Sequence, residues 1–354
     1  MFFNSSLLAI DIGSSAIKVV EMSGKTEKKL INLGMELIPE GAIVNGSIQD
    51  AAIVTKSLRR LLRRLKIRVS GRKTAISLGG SSVIIKKINY PNKDEIELAD
   101  MIEAEAEQHF QHDLNELYFT WNLLDSSEHA EERSVIMVAV KKNLLDQYIS
   151  VIKNAGLKIA VIDCDVFSIF NMFEYNFGAV DGLIAIANIG ASSTQVTLSG
   201  NGQYLYTRDI SIGGNTWSKS IASSLNTTLH NAESMKIAAG EGDISSAVLH
   251  QDSMKKITDQ LANEIQVTID YFFQSNDAPA GLSKVQAVFL TGGGARTPGL
   301  DATIASTLNI PVTIVNPFHK VKIPKKLPMD HILSQGHIYS VAVGLSMRSQ
   351  DDYT

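Results

Sequence analysis

The sequence predicts an α/β protein of two similar lobes, with a small α+β unit inserted into the first. Three observations carry this. The stretch "LLAIDIGSSAIKVVEM" at 7–22 recurs as "IAIANIGASSTQVTLS" at 184–199, 177 residues further on. An internal repeat of that length marks a duplicated structural unit. Each copy opens a run of strands that gives way to helices, the order of layered α/β units. Between the copies the texture changes, and a β-α-β-β-α order from about 79 to 160 reads as a compact insertion.

In chain order, 7–12 and 16–21 are expected as strands around a tight turn, with 30–38 as a third. Val54, Leu58, Leu61, Leu62 and Leu65 recur at helical spacing and predict a helix over 51–65. Strands are expected at 74–78 and 83–88, broken by Gly79 and Gly80. A Glu- and Ala-rich helix over 93–110, strands at 117–124 and 134–140, and a helix over 142–155 follow. A buried strand at 157–163 and a helix at 166–176 lead into a meander over 182–210. Helices at 215–225, 231–239 and 253–273, a buried strand at 285–290 ending in "TGGGARTPGL", and a helical tail at 339–347 complete the reading. The expected division is 1–78 and 158–178 for the first lobe's core and 79–157 for the insertion. The second lobe takes 179–207 and 284–336 as core and 208–283 as an upper subdomain, and 337–354 returns to the first lobe.

Composition narrows the class. At 354 residues, 44% hydrophobic, 20% charged, with 25 glycines and 8 prolines, this is an ordinary globular composition too long for one small core. A net charge of −4 gives no global pull toward nucleic acid or anionic lipid. One cysteine, Cys164, excludes an intrachain disulfide framework and fits a reducing compartment. The first residues lack a basic n-region, Asp11 interrupts the apolar run at 7–10, and no stretch approaches the roughly 20 apolar residues of a membrane span. A cytosolic protein is expected. The eight histidines show no zinc-ligand spacing, and neither a GxxxxGK[ST] loop nor a local Ser-His-Asp signature is present.

A strand-turn-strand with Gly and Ser/Thr at its tip offers backbone N–H groups to phosphate oxygens. One such hairpin alone is more readily a plain turn. Two matching ones, with the third glycine run at Gly292, Gly293 and Gly294, point to a polyphosphate held between opposed lobes. These motifs resemble the superfamily of actin, the heat-shock chaperone ATPases and the sugar kinases. Its first phosphate loop matches Asp11, Gly13, Ser14 and Ser15, its second matches Asn188, Gly190, Ser192, Ser193 and Thr194, and its adenosine loop matches 291–295. The resemblance implies duplicated ribonuclease H-like lobes. Within that superfamily "IDIGSSAIKVVE", "TRDISIGGNTWSKSIA", "AESMK", "LTGGGARTPGL" and "YSVAVGLSMR" resemble the PilM family of type IV pilus assembly proteins. The insertion is similar to the extra subdomain of that family and of the cell-division protein FtsA.

The resemblance implies ATP and Mg²⁺ as cofactors and a place at the cytoplasmic face of the inner membrane. It implies capture of the N-terminal cytoplasmic peptide of PilN, contact with other assembly-platform proteins, peripheral membrane association through those partners and no nucleic acid, and it leaves room for a homo-oligomer. It gives Asp11 the role of organising Mg²⁺ through water. Glu233 and Lys236, three apart on one helix face, would contact adenosine, although an ion pair of little consequence reads equally well. Gly213 and Gly214 match a segment beside the nucleotide cleft, and Lys18 and Arg296 complete the expected set. Asn188 departs from the family pattern, which usually has Asp there. An amide keeps the size but carries no charge and cannot act as a base, so hydrolysis should suffer more than binding. Asp165 falls where relatives place a water-orienting side chain, and equally suits a helix N-terminus. Slow or absent ATPase activity is therefore expected. Residues 56–73 place four arginines opposite a leucine stripe; the leucines are needed to cover a sheet, which makes a solvated basic face the simpler reading. An FtsA-like polymerising protein would end in an amphipathic membrane helix, where this sequence ends "SMRSQDDYT"; a kinase would want the carboxylate that Asn188 lacks.

Overall fold

The computed structural model describes residues 6–124, 131–242, 252–275, 279 and 281–349. Strands β1 (Leu8–Ile12), β2 (Ala16–Ser23) and β3 (Lys29–Leu37) form an antiparallel meander. The short pair β4 (Ile43–Val44) and β5 (Ser47–Ile48) leads into α1 (Ala51–Arg64), capped by the Asp50 carboxylate, which accepts from the Ile53 N–H. β6 (Lys73–Leu78) follows. The insertion comprises β7 (Val83–Pro91), α2 (Glu95–Phe110), β8 (Leu117–Leu123) and β9 (Glu132–Lys141). Then come α3 (Lys142–Asn154), β10 (Lys158–Cys164) and α4 (Asp165–Phe177). The second half runs β11 (Leu183–Ile189), β12 (Thr194–Gly200), β13 (Gln203–Ile210), α5 (Gly214–Ser224), α6 (Leu229–Glu241), α7 (Asp252–Gln274), β14 (Val285–Thr291), α8 (Leu300–Leu308), β15 (Val312–Ile314), α9 (Met329–Ser334) and α10 (Ser340–Leu345). Among the described residues no helix is long and apolar enough to cross a membrane.

The duplication is visible in topology. One five-stranded sheet has the order β10-β6-β1-β2-β3 and the other β13-β12-β11-β14-β15. In each, an antiparallel meander supplies one half and parallel strands the other. The leucine stripe of α1 is consumed by the first sheet, with Leu58, Leu61 and Leu62 at 0–1% exposure. The insertion's sheet, β7-β9-β8, packs on α2 around its own core of Tyr90, Leu98, Ile102, Phe110, Val135 and Met137. Helix α3 differs from expectation. Its Leu145, Tyr148, Val151 and Ile152 join the core of Leu8, Ile10 and Ile76, so by packing the insertion ends at β9. An amphipathic helix read from sequence does not reveal which of two neighbouring sheets it covers.

Helices α4 and α10 lie between the two sheets. Their Ile169, Met172, Phe173, Ala342 and Val343 share a core with Ala9 and Val20 of the first sheet and Ile184 and Ile186 of the second. This shared layer packs the first sheet and the second sheet into one core.

Candidate functional site

The two hairpin tips are built alike. The Gly13 N–H donates to the Ala16 carbonyl at 3.1 Å, and the Gly190 N–H to the Ser193 carbonyl at 2.9 Å. The offset of 177 holds residue by residue: Asp11 stands opposite Lys18 across β1 and β2, and Asn188 opposite Gln195 across β11 and β12. The chemistry does not repeat. Asp11, 6% exposed, accepts from Lys18 Nζ at 2.8 Å. In the second lobe both positions are neutral amides, and Gln195 Nε2 donates to Asp209 Oδ1 at 3.2 Å on the next strand. Burial holds the Asp209 carboxyl above the usual carboxylate range. Ser14, Ser192 and Ser193 are half-buried and Ser15 is exposed at the tips. Thr194 is buried, and its hydroxyl donates to the Ile212 carbonyl at 2.7 Å, so it braces the hairpin from behind.

Asp165 begins α4, beside the first tip. Its carboxylate accepts from Ser77 Oγ at 2.5 Å and backs onto Gly79, where a Cβ would stand 2.2 Å from Oδ2. A Cβ at Gly80 would lie 3.8 Å from Ser193 Oγ, so this bend of the first lobe faces the second hairpin. Burial and the neighbouring Asp11 push the Asp165 carboxyl up to about 7, with Asp163 adding to the rise and Ser77 and Lys18 opposing it. A carboxyl raised on folding binds its proton more tightly in the native state, so stability falls as pH rises from about 4 to about 7. Asp165→Asn keeps an acceptor for Ser77 and removes that charge. The variant is expected to melt at a higher temperature than wild type above pH 7, the gap closing toward pH 5; thermal melts across pH check this.

Gly213 and Gly214 open α5 against the second hairpin. The Gly214 N–H donates to the Gly190 carbonyl at 2.9 Å, and a Cβ on Gly213 would come within 2.6 Å of the Ser193 nitrogen. Lys236 of α6, 4% exposed, donates to the Gly214 carbonyl at 2.8 Å, to Ser218 Oγ at 2.9 Å and to Glu233 Oε2 at 2.8 Å. Burial draws its pKa down while Glu233 opposes the drop. All three ammonium protons are used inside the protein, so Lys236 pins α5 to α6 behind the hairpin. Glu233, also bonded to Ser218, keeps a more exposed carboxylate.

The third glycine loop follows β14. The Gly292 N–H donates to the His337 carbonyl at 3.0 Å and the Gly294 N–H to the Ile189 carbonyl at 2.8 Å, tying the loop to the strand that carries Asn188. A Cβ on Gly293 would meet nothing within 4 Å. Arg296 Nε is buried with no acceptor among the described residues. Burial and the Arg296 charge lower the His337 pKa to about 4, which keeps the ring neutral at physiological pH. The structure thus places Asp11 and Lys18 near enough to Asp165 to act on its charge, the Gly79–Gly80 bend between Asp165 and Ser193 of the second hairpin, and Asn188 against Gly292. It turns Thr194 and Lys236 inward. Ser77, Gly79, Gln195, Asp209 and His337 belong to this surrounding set and were not singled out from the sequence; the signal at Gly79 was present, as a glycine pair ending a strand.

The model of the family described as type IV pilus assembly protein PilM matches residues 9–350. The solved PilM-PilN type IV pilus biogenesis complex holds a chain 24% identical to this one, covering 97% of this chain and 98% of that one with a TM-score of 0.85. The ethanolamine utilization protein EutJ of Carboxydothermus hydrogenoformans is 15% identical, with coverages of 97% and 89% and a TM-score of 0.55. A Bacteroides thetaiotaomicron protein described as having an actin-like ATPase fold and unknown function is 11% identical, with coverages of 90% and 94% and a TM-score of 0.50. The cell division protein FtsA of Bacillus subtilis is 23% identical over 354 residues, 89% of this chain and 79% of that protein. The fold is actin-like, and the chain belongs to the PilM family of type IV pilus assembly proteins.

Proposed function

We propose that this chain is an ATP-binding scaffold of the type IV pilus inner-membrane platform, working at the cytoplasmic face of the inner membrane and capturing the N-terminal cytoplasmic peptide of a PilN-type protein. The observation that carries this reading is a PilM family match over 9–350 on a chain whose two hairpin tips repeat each other while only the first bears an acid. The solved relative is a complex with PilN, which is the reason for naming that partner. Other platform proteins and self-association fit the same scaffold role. The FtsA reading rests on a 23% likeness and is not favoured.

The residues present fit ATP with Mg²⁺. Ser14 and Ser15 on one side and Ser192 and Ser193 on the other would hold the β- and γ-phosphates by N–H and hydroxyl donors, with Lys18 as a point charge, while Gly13 and Gly190, whose own N–H groups close the turns, shape the two tips. Gly213 and Gly214 set the second hairpin, and Glu233, whose carboxylate is partly exposed, would lie on the adenosine side. Gly293 leaves room for close backbone approach, whereas Gly292 and Gly294 are needed for the loop's packing on Asn188 and Ile189, and Arg296 Nε is a buried donor still wanting an acceptor. Asp11 would meet Mg²⁺ through water, as suits an ion that keeps its waters and takes few protein carboxylates. When bound, Mg²⁺ neutralises phosphate charge. At the second hairpin this chain supplies little beyond positioning, since Asn188 carries no charge and cannot act as a base.

The purified protein is expected to bind ATP with Mg²⁺ at one site, to turn it over far below the ~1–100 per second of kinases, and to bind a PilN-type N-terminal peptide in a calorimetric titration with an affinity that ATP alters. Brisk phosphoryl transfer, or no binding of that peptide, overturns the reading. Asn188→Asp is expected to raise the single-turnover hydrolysis rate about tenfold or more with ATP affinity nearly unchanged; an unchanged rate removes the argument from Asn188.

A further inference from the structure

Between residues 51 and 93 the sequence holds twelve Lys or Arg and no Asp or Glu, a formal +12 segment in a chain of net charge −4. Helix α1 opens that segment, and its cations divide into two sets. Arg60 Nε lies 2.5 Å and Arg64 Nη1 2.6 Å from the Glu36 carboxylate on β3, and Arg72 pairs with Glu21. On the other flank Lys56, Arg59 and Arg63, and beyond the helix Lys66 and Arg68, form no ion pair among the described residues. Arg59 reaches the Asn154 carbonyl and Arg63 the Arg59 carbonyl, contacts that leave both charges uncompensated. Lys56, Arg59 and Arg63 wall a shallow groove floored by Leu62, Ile67, Val69 and Ala155, and no acidic side chain lines it.

The leucines of α1 are committed to the core of the first lobe. The helix therefore has no apolar face left to sink into a bilayer, and any attraction through this flank is electrostatic. The uncompensated cations of this flank are the charges that would face a negative plane. We propose that the Lys56, Arg59 and Arg63 flank of α1, with Lys66 and Arg68, is a membrane-contact surface that binds the phosphodiester headgroups of anionic lipids without insertion. Such a contact would lay the first lobe against the bilayer directly, beyond any tether supplied by a protein partner. It does not depend on the nucleotide site, which lies at the hairpin tips.

The test is co-sedimentation of the full chain with phosphatidylcholine vesicles, with or without about one third phosphatidylglycerol, at low and at physiological salt. Wild type is expected to bind the anionic vesicles, to ignore neutral ones, and to release as salt rises. The Lys56→Glu, Arg59→Glu, Arg63→Glu triple variant is expected to lose binding about tenfold or more. The control triple Lys320→Glu, Lys325→Glu, Lys326→Glu removes the same charge from exposed lysines elsewhere and is expected to keep it. If the first triple fails to fold, Lys56→Glu with Arg68→Glu, both exposed, serves instead. Wild type that ignores anionic vesicles, equal losses in the two triples, or binding that survives high salt each overturn the proposal. Titration of ATP into the same variants reads the nucleotide site separately, so failure of one reading is not mistaken for failure of the other.

Discussion

Gly344→Ala is expected to cost more stability than any other single-methyl addition described here. Gly344 sits in α10 where it crosses α4, and a Cβ there would stand 1.6 Å from the Ser168 carbonyl oxygen. The obstacle is helix backbone, which cannot swing aside as a side chain would. The two helices must separate, and they form the layer packed between both sheets. Extra atoms in a packed core typically cost about 1–3 kcal/mol, and a backbone clash in a shared core belongs at the top of that range or above. A thermal melt should fall by about 5 °C or more. Gly293→Ala is the matched control, because its Cβ would meet nothing within 4 Å, and its effect should stay within about 0.5 kcal/mol. Equal melting of Gly344→Ala and wild type would show that the helix crossing does not hold the lobes together.

Asp11→Ala is expected to abolish the dependence of ATP binding on Mg²⁺. Asp11 is the buried acid at the first hairpin tip, and its counterpart Asn188 carries no charge. Without it, Lys18 loses its partner at 2.8 Å and faces the phosphates as an unpaired cation. Metal-free ATP should then bind no worse than in wild type, while the gain from Mg²⁺ disappears. In ATP·Mg²⁺ the loss should approach a factor of about 100, or about 2.7 kcal/mol. Calorimetric titrations with Mg²⁺ and with chelator separate these effects. Asp11→Asn keeps the shape and should show the same loss, which distinguishes charge from packing. A Mg²⁺ dependence intact in both variants would remove Asp11 from the metal's surroundings.

The repeat at a spacing of 177 was legible because a hairpin is local: Gly at the turn, hydroxyls at the tip and alternation on either side are all written within sixteen residues. The long helices were legible for the same reason. What was not legible depends on direction and on distance. Thr194 reads as a phosphate ligand until its hydroxyl is seen on the Ile212 carbonyl, and Lys236 as an adenosine contact until its three protons are counted inside the protein. Ser77 and Asp165 are 88 positions apart, and no local pattern links them. The β4–β5 pair, α8, β15 and α9 are short pieces whose apolar residues do not complete a period, so no periodicity predicts them. Helix α3 carried a clear amphipathic signal that was silent about which sheet it would cover.

Two duplicated hairpins, one charged and one neutral, are proposed to grip a single ATP. The most direct measurement is a calorimetric titration of ATP with Mg²⁺ into wild type and into Gly213→Ala, whose added Cβ would strike the Ser193 nitrogen behind the second hairpin. One site per chain is expected in wild type, weakened about tenfold or more in the variant although the first hairpin is untouched. No binding to wild type, or the same affinity in both proteins, would contradict it.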